Sequence, residues 1–93
     1  MLFVMHCLDK PGVQEMRNEV MPTHRDYLDS SGVKVVMSGP LVDDNDESKV
    51  IGSLYILDVE NRAVIDKIRA EDPLSQADIW ESVNVQAFVK RIG

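Results

Sequence analysis

The order in which the spacing of apolar residues changes along this sequence is its strongest constraint on the fold. Residues 2–8 are apolar at almost every position, as in a strand that is buried on both faces. Residues 13–31 instead place apolar side chains at steps of three and four, which indicates a helix. The spacing predicts a strand, a helix, two strands, a helix and a strand, over residues 2–8, 13–31, 33–39, 50–59, 61–71 and 79–89. This order is the split βαβ pattern of a ferredoxin-like α+β domain with an antiparallel sheet.

The number of predicted helices leaves part of the sheet without a cover. The 93 residues are enough for only one domain, spanning residues 1–93. Two helices cover one face of a four-stranded sheet, yet the first three predicted strands are apolar on both faces. A second copy of the chain is the simplest cover for the other face. We therefore expect a homodimer, or a higher oligomer built from it, in which two sheets pack face to face as a dimeric α/β barrel.

The first predicted helix carries a histidine on its apolar side. His24 lies four residues after Val20, so the two side chains share one stripe. Pro22 interrupts the helical pattern, because it lacks the N–H for one helix hydrogen bond. We expect a kink or a restart there, with Pro22 in the first turn of a second segment and His24 near the N-terminus of that segment. Arg17 and Arg25 are interpreted as solvated helix charges, although either could help to hold an anionic substrate.

The stretch over residues 35–40, Val-Val-Met-Ser-Gly-Pro, predicts a buried central strand that ends at a corner of small residues. Ser38 and Gly39 remove side-chain bulk, and Pro40 cannot donate a hydrogen bond to a neighbouring strand. The corner therefore favours a close approach of backbone or of a small ligand at Gly39. Residues 41–49 beyond it are interpreted as a long polar loop within a hairpin.

Charge and composition exclude several classes of function. The net charge is −6 and the ten Lys and Arg residues are scattered, which argues against a nucleic-acid partner and against anionic membranes. The apolar start of the chain is too short for a signal sequence or a membrane span, so we expect a cytoplasmic protein. The single cysteine, Cys7, precludes an internal disulfide and fits a reducing compartment. Neither the spacing of a metal site nor a glycine-rich phosphate loop is present, so no metal and no cofactor is predicted.

Each candidate site residue has an ordinary structural interpretation when it is taken alone. A histidine on an apolar stripe is most often a hydrogen-bonded core residue, and an aspartate before proline often ends a helix. Taken together in this order and spacing, the features resemble the YCII-related (YciI-like) family of small dimeric α/β-barrel proteins. The resemblance extends over nearly the whole chain and rests on Pro22-Thr23-His24, Ser38-Gly39-Pro40-Leu41, Gly52, Asp72-Pro73 and Val83-Asn84-Val85.

The resemblance implies a function for two residues that are far apart in the sequence. It assigns a catalytic pair to His24 and Asp72, in a pocket whose wall contains Ser38, Gly39 and Pro40. A carboxylate beside an imidazole fixes the tautomer of the ring and stabilises its protonated form, which makes an acid–base catalyst near neutral pH. The family commonly has an aromatic residue after Asp-Pro, where this chain has a leucine. That difference leaves the pair intact and changes the shape of the pocket.

Three functions are compatible with this pair and pocket. The first is a cofactor-independent lyase or isomerase that moves protons on a small organic metabolite with His24 and Asp72. The second is a dimer that binds or senses a small molecule in the same pocket without catalysis. The third is a structural dimer module of a larger complex. The intact proton-transfer pair favours the first function, and the shortness of the chain disfavours the third.

Overall fold

The helices and strands of the computed structural model, which describes all 93 residues, follow the predicted order with one addition. The elements are β1 (Leu2–Asp9), α1 (Gln14–Ser30), β2 (Lys34–Asp43), β3 (Asp46–Asp58), α2 (Arg62–Glu71), α3 (Pro73–Gln76) and β4 (Trp80–Phe88). The addition is α3, a helix of one turn, which is too short to show helical spacing in the sequence. The sheet has the strand order β2-β3-β1-β4, and every neighbouring pair is antiparallel. This arrangement confirms the ferredoxin-like α+β fold.

The hydrophobic core lies between the sheet and the helices. Phe3, Met5 and Cys7 alternate along β1 and are buried, and α2 adds Ile65 and Ile68 to the same cluster. The opposite face of the sheet has no cover within the protomer. Its β1 side chains are half-buried or exposed, and they are Leu2, Val4, His6 and Leu8.

The strand β2 differs from the predicted central strand in position and length. It lies at the edge of the sheet, continues through Pro40, which pairs with Ser53, and ends at Asp43. An edge strand tolerates proline because its outer side needs no N–H donor. The apolar run from Val35 to Met37 is exposed, with Met37 62 % exposed. The predicted burial on both faces is therefore wrong for the protomer.

The close approach of two backbones occurs at Gly52 rather than at Gly39. A Cβ atom on Gly39 would meet nothing within 4 Å, because this residue lies on the edge strand with open space beside it. A Cβ atom on Gly52 would overlap the carbonyl oxygen of Cys7 and lie 3.2 Å from its carbonyl carbon. The prediction of a close backbone approach at Gly39 is wrong, and the tight position belongs to β3, between β1 and β2. The approach of a small ligand at Gly39 stays a prediction.

The hairpin between β2 and β3 is tighter than predicted. The two strands extend into residues 41–49 and leave only Asp44 and Asn45 as the turn. The Asp43 carboxylate accepts a hydrogen bond of 2.9 Å from the backbone N–H of Asn45. The prediction of a long loop is wrong because polar side chains mark exposure, and an exposed hairpin end still pairs its backbone.

The helix α1 is unbroken through Pro22. The predicted restart is therefore wrong, and His24 lies within the helix rather than near an N-terminus. Pro22 cannot donate the helical hydrogen bond to the carbonyl of Asn18, but Val20 and Leu28 pack against the core on either side of it. This packing stabilises the helix across the proline. None of the three helices combines the length and the apolar composition needed to cross a bilayer.

Candidate active site

His24 and Asp72 form a buried hydrogen-bonded pair. Nδ1 of His24 lies 2.9 Å from both Oδ1 and Oδ2 of Asp72. The two residues are 4 % and 1 % exposed, so water does not compete for this contact. The carboxylate can only accept, so the ring proton of neutral His24 lies on Nδ1 and leaves Nε2 as an acceptor.

The junction between α2 and α3 fixes the direction of the Asp72 carboxylate. Asp72 is extended (φ −56°, ψ 131°), as a residue before proline prefers, and it ends α2. Its Oδ1 accepts a hydrogen bond of 2.8 Å from the backbone N–H of Leu74, which caps α3. Pro73 occupies the first turn of α3, where a missing N–H costs nothing. The Asp-Pro dipeptide therefore ends one helix, begins the next and aims the carboxylate at His24.

The second ring nitrogen of His24 faces Tyr55. The phenol oxygen of Tyr55 lies 3.3 Å from Nε2, and the two ring centroids are 5.7 Å apart. Burial raises the pKa of the Tyr55 phenol, so the hydroxyl keeps its proton at neutral pH and remains a donor. When His24 is neutral, Tyr55 thus donates to Nε2, while Nδ1 donates to Asp72.

A cleft of about 480 Å³ opens beside this pair. His24 lines it, and so do the three predicted wall residues Ser38, Gly39 and Pro40. The structure therefore places the β2 residues next to the histidine, although they belong to the edge of the sheet. Asp72 contacts Nδ1 of His24 and does not line the cleft. The rest of the wall mixes polar and apolar side chains, namely Arg17, Asn18, Met21, Arg25, Leu28, Asp29, Val35, Val50, Ser53 and Tyr55.

Arg17 is a buried member of the site rather than a solvated helix charge. It is 3 % exposed. Its Nη1 donates to both carboxylate oxygens of Asp9, at 3.1 and 3.0 Å, and its Nη2 donates to Ser53 Oγ at 2.7 Å. Burial raises the pKa of Asp9, while the Arg17 charge opposes that shift. The interpretation of Arg17 as solvated is wrong, whereas Arg25 is exposed as expected.

The sequence offered a weak signal for each residue that was missed. Arg17 lies seven residues before His24, about two helical turns, and therefore on the same face of α1. Ser53 and Tyr55 alternate along β3, so both point to the helix-covered face of the sheet. None of these spacings is specific, because a strand aromatic and a helix arginine are common in any domain.

The remaining reactive side chains lie outside this arrangement. Cys7 is fully buried, and burial, helped by the charge of Asp72, raises the pKa of its thiol to about 12. It is therefore a packed thiol rather than a nucleophile at neutral pH. His6 lies on the uncovered face of the sheet. No group of three or more His, Cys, Asp or Glu side chains is placed to hold a metal ion.

Comparison with solved structures defines the class of fold. The 5-chloro-2-hydroxyhydroquinone dehydrochlorinase TftG from Burkholderia phenoliruptrix AC1100, in complex with 2,5-dihydroxybenzoquinone, matches with a TM-score of 0.86 and 24 % identity, over 96 % of this chain and 94 % of that one. A protein from Arabidopsis thaliana matches with a TM-score of 0.56 and 13 % identity, over 99 % of this chain and 96 % of that one. These similarities support the ferredoxin-like fold and do not by themselves assign an activity.

The sequence identifies the family. The YCII-related domain matches residues 1–89, and the chain belongs to this family. The resemblance drawn from the His24, Ser38-Gly39-Pro40 and Asp72-Pro73 motifs is thereby confirmed. A search of curated proteins found no match.

Proposed function

We propose that this protein is a cofactor-independent lyase or isomerase that transfers protons on a small organic metabolite. The observation that carries the proposal is the buried pair of His24 and Asp72, in which both carboxylate oxygens lie 2.9 Å from Nδ1. The opposite nitrogen, Nε2, is on the side of the ring that faces Tyr55 and the cleft. An imidazole held in one tautomer at a concave surface is suited to act as a general base and then as a general acid.

The proton transfer proceeds through Nε2 of His24. Nε2 removes a proton from a C–H bond of the substrate, and the electron pair of that bond forms a new double bond. In an isomerisation, the imidazolium returns the proton to another atom of the same molecule. In an elimination, a leaving group departs with the electrons of its own bond, and the imidazolium releases the proton to solvent.

Asp72 and Tyr55 stabilise the charges that this step creates. The imidazolium forms against the buried Asp72 carboxylate, where low dielectric strengthens the attraction between the two charges. Once Nε2 holds the proton it can no longer accept from Tyr55. The phenol O–H is then available to donate to a substrate oxygen on which negative charge develops.

The cleft suits a substrate with one ring. Its volume of about 480 Å³ lies at the lower end of ligand pockets, and its wall combines apolar side chains with hydroxyl and charged groups. TftG, which shares the fold, is a dehydrochlorinase of a chlorinated hydroxyhydroquinone. Elimination from a small hydroxylated aromatic compound is therefore the reaction to test first.

The uncovered sheet face supports a homodimer as the functional unit. Apolar side chains from three strands lie on it, and a solvated face of an antiparallel sheet would be polar. Light scattering at micromolar concentration should give about twice the 10.5 kDa chain mass. A mass equal to one chain would refute the pairing of sheets.

Deuterium exchange tests the catalytic proposal without knowledge of the natural substrate. The protein is incubated in D₂O with a panel of hydroxylated and halogenated single-ring compounds, and NMR follows deuterium uptake and release of halide. We expect turnover or exchange with at least one compound, and a loss of about 10²–10⁴-fold in His24→Asn. His6→Asn removes the other histidine and is the control for the loss of an imidazole. Because His6 lies on the face proposed to pair in the homodimer, light scattering first checks its mass, and the dimeric variant should keep the activity.

The same experiment separates the alternative of a binding protein without catalysis. Binding of a compound with neither deuterium uptake nor product would favour the ligand-binding alternative over the enzyme. An activity that survives in His24→Asn would refute the role of the pair.

A further inference from the structure

A second cleft, of about 580 Å³, separates the C-terminal part of α1 from α2. Tyr27 and Ser30 line it on the side of α1, and Val64, Lys67 and Glu71 line it on the side of α2. We call this cleft the interhelix groove. Because open space lies between the two helices here, a side-chain bond across the groove has more influence on their separation than it would in a close-packed interface.

One hydrogen bond crosses the interhelix groove at the end nearest the proton-transfer pair. The Tyr27 hydroxyl donates to Oε1 of Glu71 at 3.0 Å. Tyr27 follows His24 by three residues and is therefore its neighbour on the surface of α1. Glu71 directly precedes Asp72 in the chain. The same two segments are thus joined twice, by the buried pair and by this outer bond.

We propose that Tyr27 and Glu71 are positioning residues for proton transfer. Their bond holds α1 against the junction of α2 and α3, and so keeps Nδ1 of His24 within hydrogen-bonding distance of Asp72. This inference rests on the proposed function and adds to it two residues that do not line the cleft beside His24. They line the interhelix groove, whereas neither member of the pair does, so the outer bond lies between the pair and the solvent in the groove.

Glu71 occupies a position at which a helix alone disfavours a carboxylate. It is the last residue of α2, where the unpaired carbonyl groups give the helix end a partial negative charge. A cation such as Arg69 in the same turn is favoured there, and an anion is not. The bond to Tyr27 supplies an interaction that offsets this cost. The carboxylate of Glu71 therefore serves a tertiary contact rather than the stability of its own helix.

The Tyr27 side chain is fixed at its ring and remains a donor at its hydroxyl. The ring packs against the hydrophobic core, which sets the direction of the phenol oxygen. Burial, together with the hydrogen bond to Glu71 and the charges of Glu71 and Asp72, raises the pKa of the phenol to about 12. The hydroxyl thus keeps its proton well above neutral pH, and its bond to a carboxylate is charge-assisted.

Exchange of the Nδ1 proton of His24 with water measures how often the pair opens, and it requires no substrate. Proton NMR of protein labelled with ¹⁵N at histidine gives this rate in alkaline buffer, by saturation transfer from water. Tyr27→Phe removes one oxygen atom and should make the exchange about threefold to tenfold faster, as expected for the loss of one hydrogen bond. Glu71→Ala removes the acceptor and should have an effect of the same size. If one of the two variants fails to fold, the other decides the question.

Three comparisons separate positioning from a general loss of stability. Glu71→Gln keeps an oxygen that accepts from the phenol, so its exchange rate should stay within about twofold of the wild type. Asp66→Ala removes an exposed carboxylate elsewhere on α2 and should leave the rate unchanged. In every variant the Nδ1 proton should be at least about tenfold less protected than the backbone amides of β1 and β3, the two central strands, because the pair opens without unfolding of the sheet.

Turnover gives a second measurement. With any compound that reacts in the deuterium assay, Tyr27→Phe should lower kcat at least about threefold and leave KM unchanged, because the phenol orients the pair and does not touch the substrate. An unchanged kcat, an unchanged exchange rate in both variants, or Nδ1 protection equal to that of the central strands would overturn the positioning role. Faster exchange in both variants with no turnover of any compound would refute the enzyme and leave the effect of the bond on the pair standing.

Discussion

Replacing Asp72 by Asn should remove the preference of His24 for one tautomer. The substitution keeps the size of the side chain and removes its charge. In the wild-type protein, Oδ1 accepts from the Leu74 N–H at 2.8 Å, and Nδ1 of His24 lies 2.9 Å from both oxygens. The Leu74 N–H still requires an oxygen in the variant, so the new NH₂ group occupies the Oδ2 position. Nδ1 then lies equally near an acceptor and a donor, and the ring proton can stay on Nδ1 or move to Nε2.

The size of the effect follows from the hydrogen bond that is lost. A bond to a charged acceptor contributes about 1.5–3 kcal/mol, which corresponds to roughly a 10- to 150-fold preference between the two tautomers. More than about 90 % of neutral His24 should thus carry its proton on Nδ1 in the wild type. In Asp72→Asn both tautomers should be clearly populated. In the fraction with the proton on Nε2, this nitrogen would be a donor toward Tyr55 and could not act as the general base.

Nitrogen NMR measures this directly, because protonated and unprotonated ring nitrogens have well-separated ¹⁵N shifts. The spectra are recorded in alkaline buffer, where free imidazoles are neutral. His6, on the uncovered sheet face, provides an internal control and should give the same spectrum in both proteins. Asp66→Asn, an exposed change on α2, controls for the loss of a carboxylate elsewhere. If His24 shows the same tautomer in wild type and Asp72→Asn, Asp72 does not set the ring, and the mechanism proposed above is wrong.

Three further predictions concern the surroundings of the site. Gly52→Ala should lower the free energy of unfolding by about 3 kcal/mol and the melting temperature by about 10 °C or more, because the new Cβ overlaps the Cys7 carbonyl. Gly39→Ala, the control, should shift the melting temperature by no more than about 4 °C. Equal melting temperatures of the two variants would contradict the packing at Gly52. Cys7, with a thiol pKa of about 12, should not react with a disulfide reagent at pH 8 until the protein is denatured. Its contribution to the free energy of unfolding should fall as pH rises from about 9 toward 12, because the thiol ionises first in the unfolded chain. Urea titrations of the wild type and Cys7→Ala at pH 8 and pH 10.5 would measure this fall. Tyr55→Phe should fold normally and reduce turnover while leaving the His24 tautomer unchanged, because Asp72 and not the phenol holds the ring proton; a reversed tautomer would argue otherwise.

The element order could be predicted from the sequence because the spacing of apolar residues reports local geometry. The change from nearly continuous apolar residues to helical steps correctly placed β1, α1, β3, α2 and β4. The error at β2 has a physical cause. A run of three apolar residues indicates that apolar surface must be covered, but it does not say whether the cover comes from the same chain. Pro40 was likewise ambiguous, since a proline can either end a strand or lie on the outer edge of one.

The site could be predicted only in part, because its members differ in how well the sequence marks them. His24 and Asp72 were found through motifs with a fixed neighbour, Pro22-Thr23 in one case and Pro73 in the other. Arg17 was missed because a charged helix residue is usually solvated, and its burial depends on Asp9 from another element. Tyr55 was missed because a strand aromatic is ordinarily a core residue. Both roles arise from tertiary contacts that a linear pattern does not record.

The double role of Asp72 affects how such a site changes over evolutionary time. Catalytic groups are often retained at the expense of folding stability, so that their removal makes a protein more stable. Asp72 is different, because it caps α3, joins two helices and satisfies a buried imidazole at once. Its loss would leave the helix uncapped and a buried donor without a partner, at a cost of about 2–4 kcal/mol. Selection for folding alone therefore preserves this carboxylate. If the proposed catalysis were exchanged for simple binding, the same aspartate would remain, and the change would come first at Tyr55, whose hydroxyl caps no helix.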